Sequence, residues 1–385
     1  MRKGELSAII DLNEDDAALA PLTTGRPIGT LPFAGRYRLI DFPLSAISAA
    51  DIHSVAIFMP RSARSVQDHL RSGATWNLDL IQGGVFMFPY VATRDYNDAS
   101  LRARYYEDYM QFLRMSGSRY TVILGAKNIA NIDLNAVLDY HRAGDSPITA
   151  IYKTLPVTEL GAQELTLSLS ELGTASSVLP LSARHLGDAA KVAAFMDGYL
   201  IDTPMLIELL DAASNGASFR RMPELLRDAV LANNANAFEY TGFLARVTGI
   251  QQYFAANLAM LDDASYQALL YSSIPILTKS KNEIPTFFAR DSHVVNTILG
   301  TGAYIEGSIT HSVISRNVLV HRDAEVVDSV IMQGTKLSIG ASVRNAILDK
   351  GVVIGPNVTV AGTPEHPVVV PKNATVYQSI EEVPA

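Results

Sequence analysis

A turn dense in carboxylates, Asn13-Glu14-Asp15-Asp16, follows an apolar run from Ser7 to Leu12 that reads as a short buried strand. In a nucleotide-binding protein the turn after such a strand is where glycines let backbone N–H groups approach a phosphate in a neutral or positive field. Here the turn has no glycine and three consecutive acids. Carboxylates at that density either stand in water, because Asp and Glu are seldom buried without a partner, or hold a hard divalent cation through oxygen. Phosphate is the ligand they oppose. The next segment, Pro21–Ser45, is PLTTGRPIGTLPFAGRYRLIDFPLS, with Arg26 and Arg38 as cations among apolar and turn residues.

The elements that must position these residues emerge from the pattern of the whole chain. At 385 residues and 48% hydrophobic content, it has ample material for a large core and for two domains. Up to about residue 260, short β-rich runs alternate with helical patterns, as in a mostly parallel α/β sheet. The expected strands are Leu6–Leu12, Ser54–Met59, Tyr120–Leu124, Ile148–Tyr152 and Met196–Ile201. Helices are expected over Leu101–Met115 and Leu134–Ala143, the second capped by Asp133, and Asp202 or Thr203 is placed to cap Met205–Leu210. The last hundred residues lose helical periodicity and show Val and Ile at short regular intervals with glycines between. Leu337 and Val343, and likewise Val352 and Val358, stand six apart, one flat face per hexapeptide of a triangular parallel β-helix. The chain thus divides into 1–270, a linker at 271–285 containing Ser-Lys-Ser-Lys-Asn-Glu, and 286–385.

Composition narrows the function. Zero cysteines exclude disulfides, thiolate metal sites and a cysteine nucleophile. The net charge of −8 argues against a nucleic-acid platform. No apolar run is long enough for a membrane span, and Met1-Arg2-Lys3-Gly4-Glu5 is too short and charged for a signal peptide, so a cytoplasmic location is expected.

Pro21–Ser45 resembles the N-terminal block of bacterial ADP-glucose pyrophosphorylases (glucose-1-phosphate adenylyltransferases). Trp76-Asn77-Leu78-Asp79 with Gly83-Gly84-Val85, Gly302 to Ser308, Ser329 to Gln333 and Asn345 to Lys350 continue the resemblance along nearly the whole chain. It implies a Rossmann-like, GT-A-like nucleotidyltransferase domain followed by a left-handed parallel β-helix of hexapeptide repeats, assembled as a tetramer. Against that family the chain departs at the chemistry. The glycine-rich phosphate loop falls on Asn13 to Ala18, the phosphate-facing lysine on Ile28, and the two metal-binding aspartates on Lys127 and Arg246. Lysine and arginine offer neither negative charge nor lone pairs to magnesium. The resemblance therefore implies no catalytic residues, no metal and no bound cofactor in this chain, magnesium belonging to a catalytic partner.

A non-catalytic regulatory subunit in glycogen biosynthesis is accordingly expected, modulating a catalytic homologue within a hetero-oligomer. Arg26 and Arg38 match arginines near the family's anionic-effector pocket, although Arg38 is also placed to pair with Asp41. The alternative is an active sugar-phosphate nucleotidyltransferase with a rearranged site, using Glu14, Asp15 or Asp16 as metal ligands. A third class, a hexapeptide acyltransferase with His311 or His321 as base, lacks any accompanying acyl-carrier pattern.

Overall fold

A computed structural model describes residues 4–60, 63–90, 99–184, 190–216 and 218–381. Met1 to Lys3, the first residues of the charged N-terminal start, lie outside these. The first strand, β1 (Leu6–Asp11), is buried at every position, as a central strand covered on both faces must be. It is followed by α1 (Asp41–Ala49), β2 (Ser54–Pro60), β3 (Gly84–Tyr90), α2 (Ala99–Ser116), β4 (Tyr120–Leu124), the short β5 (Asn128–Ala130) and α3 (Leu134–Ala143). Asp133 caps α3, its carboxylate accepting N–H bonds from Asn135 and Ala136. Then come β6 (Ile148–Pro156), β7 (Leu165–Leu169), β8 (Ala175–Pro180), β9 (Lys191–Asp202), α4 (Thr203–Ser214), α5 (Met222–Ala232), β10 (Asn236–Glu239), β11 (Leu244–Arg246) and α6 (Ile250–Leu258).

The sheet is mixed rather than mostly parallel, and β10 pairs parallel with β6 at its far side. β4, β1, β2 and β3 lie side by side in parallel. The long β9 then runs antiparallel to β4, β6 and β7. A register shift between Phe195 and Gly198 lets β9 bend, with Asp197 inside the bulge at φ 51°. Asp202 stands immediately before α4 but does not cap it with its side chain; its carboxylate lies 3.1 Å from His141 Nε2.

Residues 271–286 carry no helix or strand, and from Phe287 onwards the chain winds into a parallel β-helix. Leu319 pairs with Lys336, and Lys336 with Val353. The central coils superpose residues 17 apart, as in the Ser329 N–H that bonds Ser312 Oγ, while His293 pairs with Ser308, Ala346 with Val368 and Val360 with Ile380. The inward stripe is Val320, Leu337 and Ile354, with Val326, Val343 and Val360 beside it, all wholly buried. Coils turn at left-handed corners, occupied by Asn317, Gly334 and Gly351 in one column and His311, Asp328 and Asn345 in another. Asn, Asp and Gly tolerate that conformation best. His311 is one of these corner residues, its Nδ1 2.6 Å from Asp328 Oδ1, and His321 Nδ1 lies 3.2 Å from Glu306.

One hydrophobic core runs through both parts. Val313, Val330, Met332 and Ile347 of the β-helix pack in the same cluster as Tyr253 and Phe254 of α6. Arg26 crosses that boundary: Nη2 donates to Asp349 Oδ2 at 2.8 Å and Nε to Leu22 O at 2.6 Å.

Candidate functional site

The carboxyl ends of β1, β2 and β4 share one edge, where α/β sheets hold ligands. There β4 ends at Leu124 and the chain passes through Gly125, Ala126 and Lys127 into β5. Glu14 reaches this turn from the loop after β1. Its Oε2 accepts the Ala126 N–H at 3.0 Å and its Oε1 the Lys127 N–H at 3.1 Å. Gly125 makes room, because a Cβ there would collide with Glu14 Oε1. The solvated-loop reading therefore holds for Asp15, which is exposed, and fails for Glu14. Burial pushes the Glu14 carboxyl up to about 7, outweighing the Lys127 charge and the two amides that favour ionisation. Burial likewise raises Asp11 to about 6, opposed by its bonds to Asn13 and Tyr109.

Lys127 and Arg246, distant in sequence, come together. β11 pairs antiparallel with β5, Arg246 opposite Asn128, and Val247 N–H donates to Lys127 O at 2.8 Å. Arg246 is not a solvated charge: Nη1 lies 2.6 Å from Glu164 Oε2, with the two side chains 15% and 10% exposed. Burial holds its guanidinium below the usual arginine range. Ile28 is in the core. These residues do not suit a magnesium ion, since two cations occupy the adjacent positions and Glu14 spends both oxygens on amides. Among the described residues no group of three or more His, Cys, Asp or Glu is arranged to hold a metal. The cavity touching Gly125, Asn128 and Met196 measures about 20 Å³, room for about one water.

A second cavity differs in every respect. Of about 350 Å³, it opens between the α/β part and the β-helix and is lined by Arg36, Arg38, His69, Lys279, Lys281 and Arg316, with no carboxylate among the described lining residues. Arg38 is held by two bonds, Nη1 to Ser65 O at 2.8 Å and its own N–H to Asp41 Oδ2 at 2.9 Å. The expected pairing with Asp41 is thus made by the Arg38 backbone. Asp41 also holds His69, Oδ1 to Nε2 at 2.5 Å. Arg316 is anchored by Glu283 at 2.6 Å. Burial, then the nearby Arg38 and Arg26 charges, push Lys350 down to about 7. Cations pressed together in this way repel one another until an anion arrives.

Arg26 is placed otherwise than as a free anion ligand: 8% exposed and committed to Asp349, it joins the two parts behind the cleft. His69 and Arg316 carried no signal in the sequence. Lys279 and Lys281 are legible only as part of the expected linker, with no reading as site residues.

Comparison with known proteins defines the class. Residues 17–162 match the nucleotidyl transferase family model, and 285–368 match the model of the GlmU-like C-terminal hexapeptide region. The chain is 31% identical to the glycogen biosynthesis protein GlgD of Geobacillus stearothermophilus over 323 residues, covering 84% of this chain and 83% of the relative. It is 27% identical to GlgD of Bacillus subtilis (strain 168) over 372 residues, 97% of each. With a glucose-1-phosphate adenylyltransferase of Bacillus cytotoxicus it shares 25% identity over 363 residues, 92% of this chain and 94% of that one. The chain belongs to the family of GlgD proteins and glucose-1-phosphate adenylyltransferases.

Proposed function

We propose that this chain is a non-catalytic regulatory subunit of an ADP-glucose pyrophosphorylase, acting in the cytoplasm on a catalytic homologue that joins ATP and glucose 1-phosphate into ADP-glucose and diphosphate. The observation that carries this reading is the juxtaposition of Lys127 and Arg246 across the β5–β11 pair. In a nucleotidyl transfer the metal neutralises the triphosphate and the charge building on the reacting oxygens, and neither side chain supplies an oxygen to hold it. The chain then acts through its partner, with magnesium in the partner's site, in a hetero-oligomer of tetrameric type. Its effect is a shift between less and more active states of the neighbour. The basic cleft, with Arg38 on its wall and Arg26 bracing it from behind, is the proposed seat of an anionic metabolite that biases those states.

The test is kinetic. The purified chain with glucose 1-phosphate, ATP and Mg²⁺ should form no ADP-glucose, and adding it to the catalytic homologue should change that enzyme's kcat or KM. Turnover by the isolated chain at a rate comparable to catalytic relatives would overturn the reading in favour of an active enzyme with a rearranged site. An unchanged partner would leave only a scaffold.

A further inference from the structure

Glu14 makes the contacts that an oxyanion would make. Two successive backbone N–H groups, at the carboxyl end of a parallel strand, converge on its two oxygens, the arrangement by which backbone concavities bind anions. Gly125 leaves the space that one oxygen fills. Burial pushes this carboxyl up, and the Lys127 charge and the two amides oppose the rise. Beside Glu14, the Asn13 side-chain amide is buried with neither its nitrogen nor its oxygen hydrogen-bonded, a polar group left without a partner in the same turn. The contact joins residues 112 positions apart, so local turn preference does not account for it.

We propose that Glu14 is an internal ligand: its carboxylate occupies an oxyanion subsite formed by the Ala126 and Lys127 amides and closes that subsite to phosphate. The class of ligand excluded is a small tetrahedral oxyanion, either inorganic phosphate or the end of a phosphate chain. Such a subsite is independent of the regulatory reading, because it is measured on the isolated chain and needs no partner.

Hydrogen exchange over residues 120–130 of the full chain, with and without millimolar inorganic phosphate, decides it. In Glu14→Ala the Ala126 and Lys127 amides should exchange at least about tenfold faster than in the wild type, the loss expected when a charged acceptor leaves buried donors. Phosphate should restore protection in the variant and leave the wild type unchanged. A local readout separates this subsite from the basic cleft, where phosphate also has cations to meet. Should Glu14→Ala fail to fold, Glu14→Ser vacates the same space while keeping a polar group in the turn, and phosphate should again slow exchange only in the variant. Variant amides as well protected as the wild type's, or exchange indifferent to phosphate, would overturn the proposal.

Discussion

The two cavities sit on the same frame and have opposite electrostatic histories. At the carboxyl ends of β1 and β4, the Glu14 carboxyl takes up two backbone amides, and the small cavity on the other side of Gly125, lined mostly by apolar residues, measures about 20 Å³. Between the α/β part and the β-helix the chain supplies arginines and lysines with no carboxylate among the described lining residues, and leaves about 350 Å³ open. A charged side chain buried against backbone amides needs no visitor. The cleft cations Arg38 and Arg316 are held in place by Ser65, Asp41 and Glu283, a setting that favours an anion. A fold can therefore retire one pocket and keep another poised, because each is closed or opened by a few side chains while the sheet and β-helix stay as they are.

The largest expected effect comes from removing the brace between them. Arg26→Ala strips the partner from Asp349, which is 2% exposed, and should destabilise the chain by about 3–5 kcal/mol. Arg26→Ala with Asp349→Ala should recover part of that loss, measured by urea unfolding. Exchange at Ala126 should be little altered in the double variant if the two pockets are independent.

Titration sharpens the same contrast. The folded Glu14 carboxyl holds its proton to about 7, against an ordinary 4.5, so between those values the folded chain binds more protons than the unfolded one. This contribution to stability is complete below about 4.5 and is lost as pH rises through 7. Wild type should therefore lose up to roughly 3 kcal/mol more than Glu14→Gln across that window, at about 1.4 kcal/mol per pKa unit. Lys350, lowered from 10.5 to about 7, works above pH 7 and in the opposite sense. It is neutral in the fold where the unfolded chain is still charged, so its penalty is relieved as pH rises towards 10.5. Unfolding curves at several pH values for the two proteins would separate the Glu14 contribution from that of Lys350.

Smaller effects mark the limits. Lys281→Ala removes an exposed cation from the cleft wall and should weaken binding of inorganic pyrophosphate by about fivefold, near 1 kcal/mol, read by calorimetry. Asp328→Asn, at a β-helix corner, keeps a residue that tolerates the left-handed backbone and removes only the charge of the half-exposed pair with His311. It should cost at most about 0.5 kcal/mol and leave both pockets as they were.

Much of this frame is legible in the residues. The α3 pattern runs from Leu134 to Ala143 with Asp133 as its cap because periodicity and capping are local. The β-repeat is legible for the same reason, each coil restating the last. What escapes is the long-range chemistry. Nothing near Glu14 in sequence announces the Ala126 and Lys127 amides, and nothing near Arg246 announces Glu164. Asp202 is correctly a helix-start residue, yet its carboxylate goes to His141 on another element. The antiparallel course of β9 is equally invisible, since an apolar strand reads the same in either direction. Lys127 and Arg246 could be brought together only by resemblance, and β pairing gives the physical reason they meet.

The 17-residue spacing makes the β-helix a ruler against which Asp349 is measured. Inserting one whole coil after Ile354 would lengthen the rod by about 4.8 Å, the distance between neighbouring strands, and leave the Arg26 anchor where it is. Deleting a residue of the stacked strand at Leu319 and Val320, rather than at a corner where other coils already take up extra residues, would instead break the pairing with Lys336 and Leu337 that leads to Asp349. The grip between the two halves of the molecule is thus written into the repeat as a matter of counting.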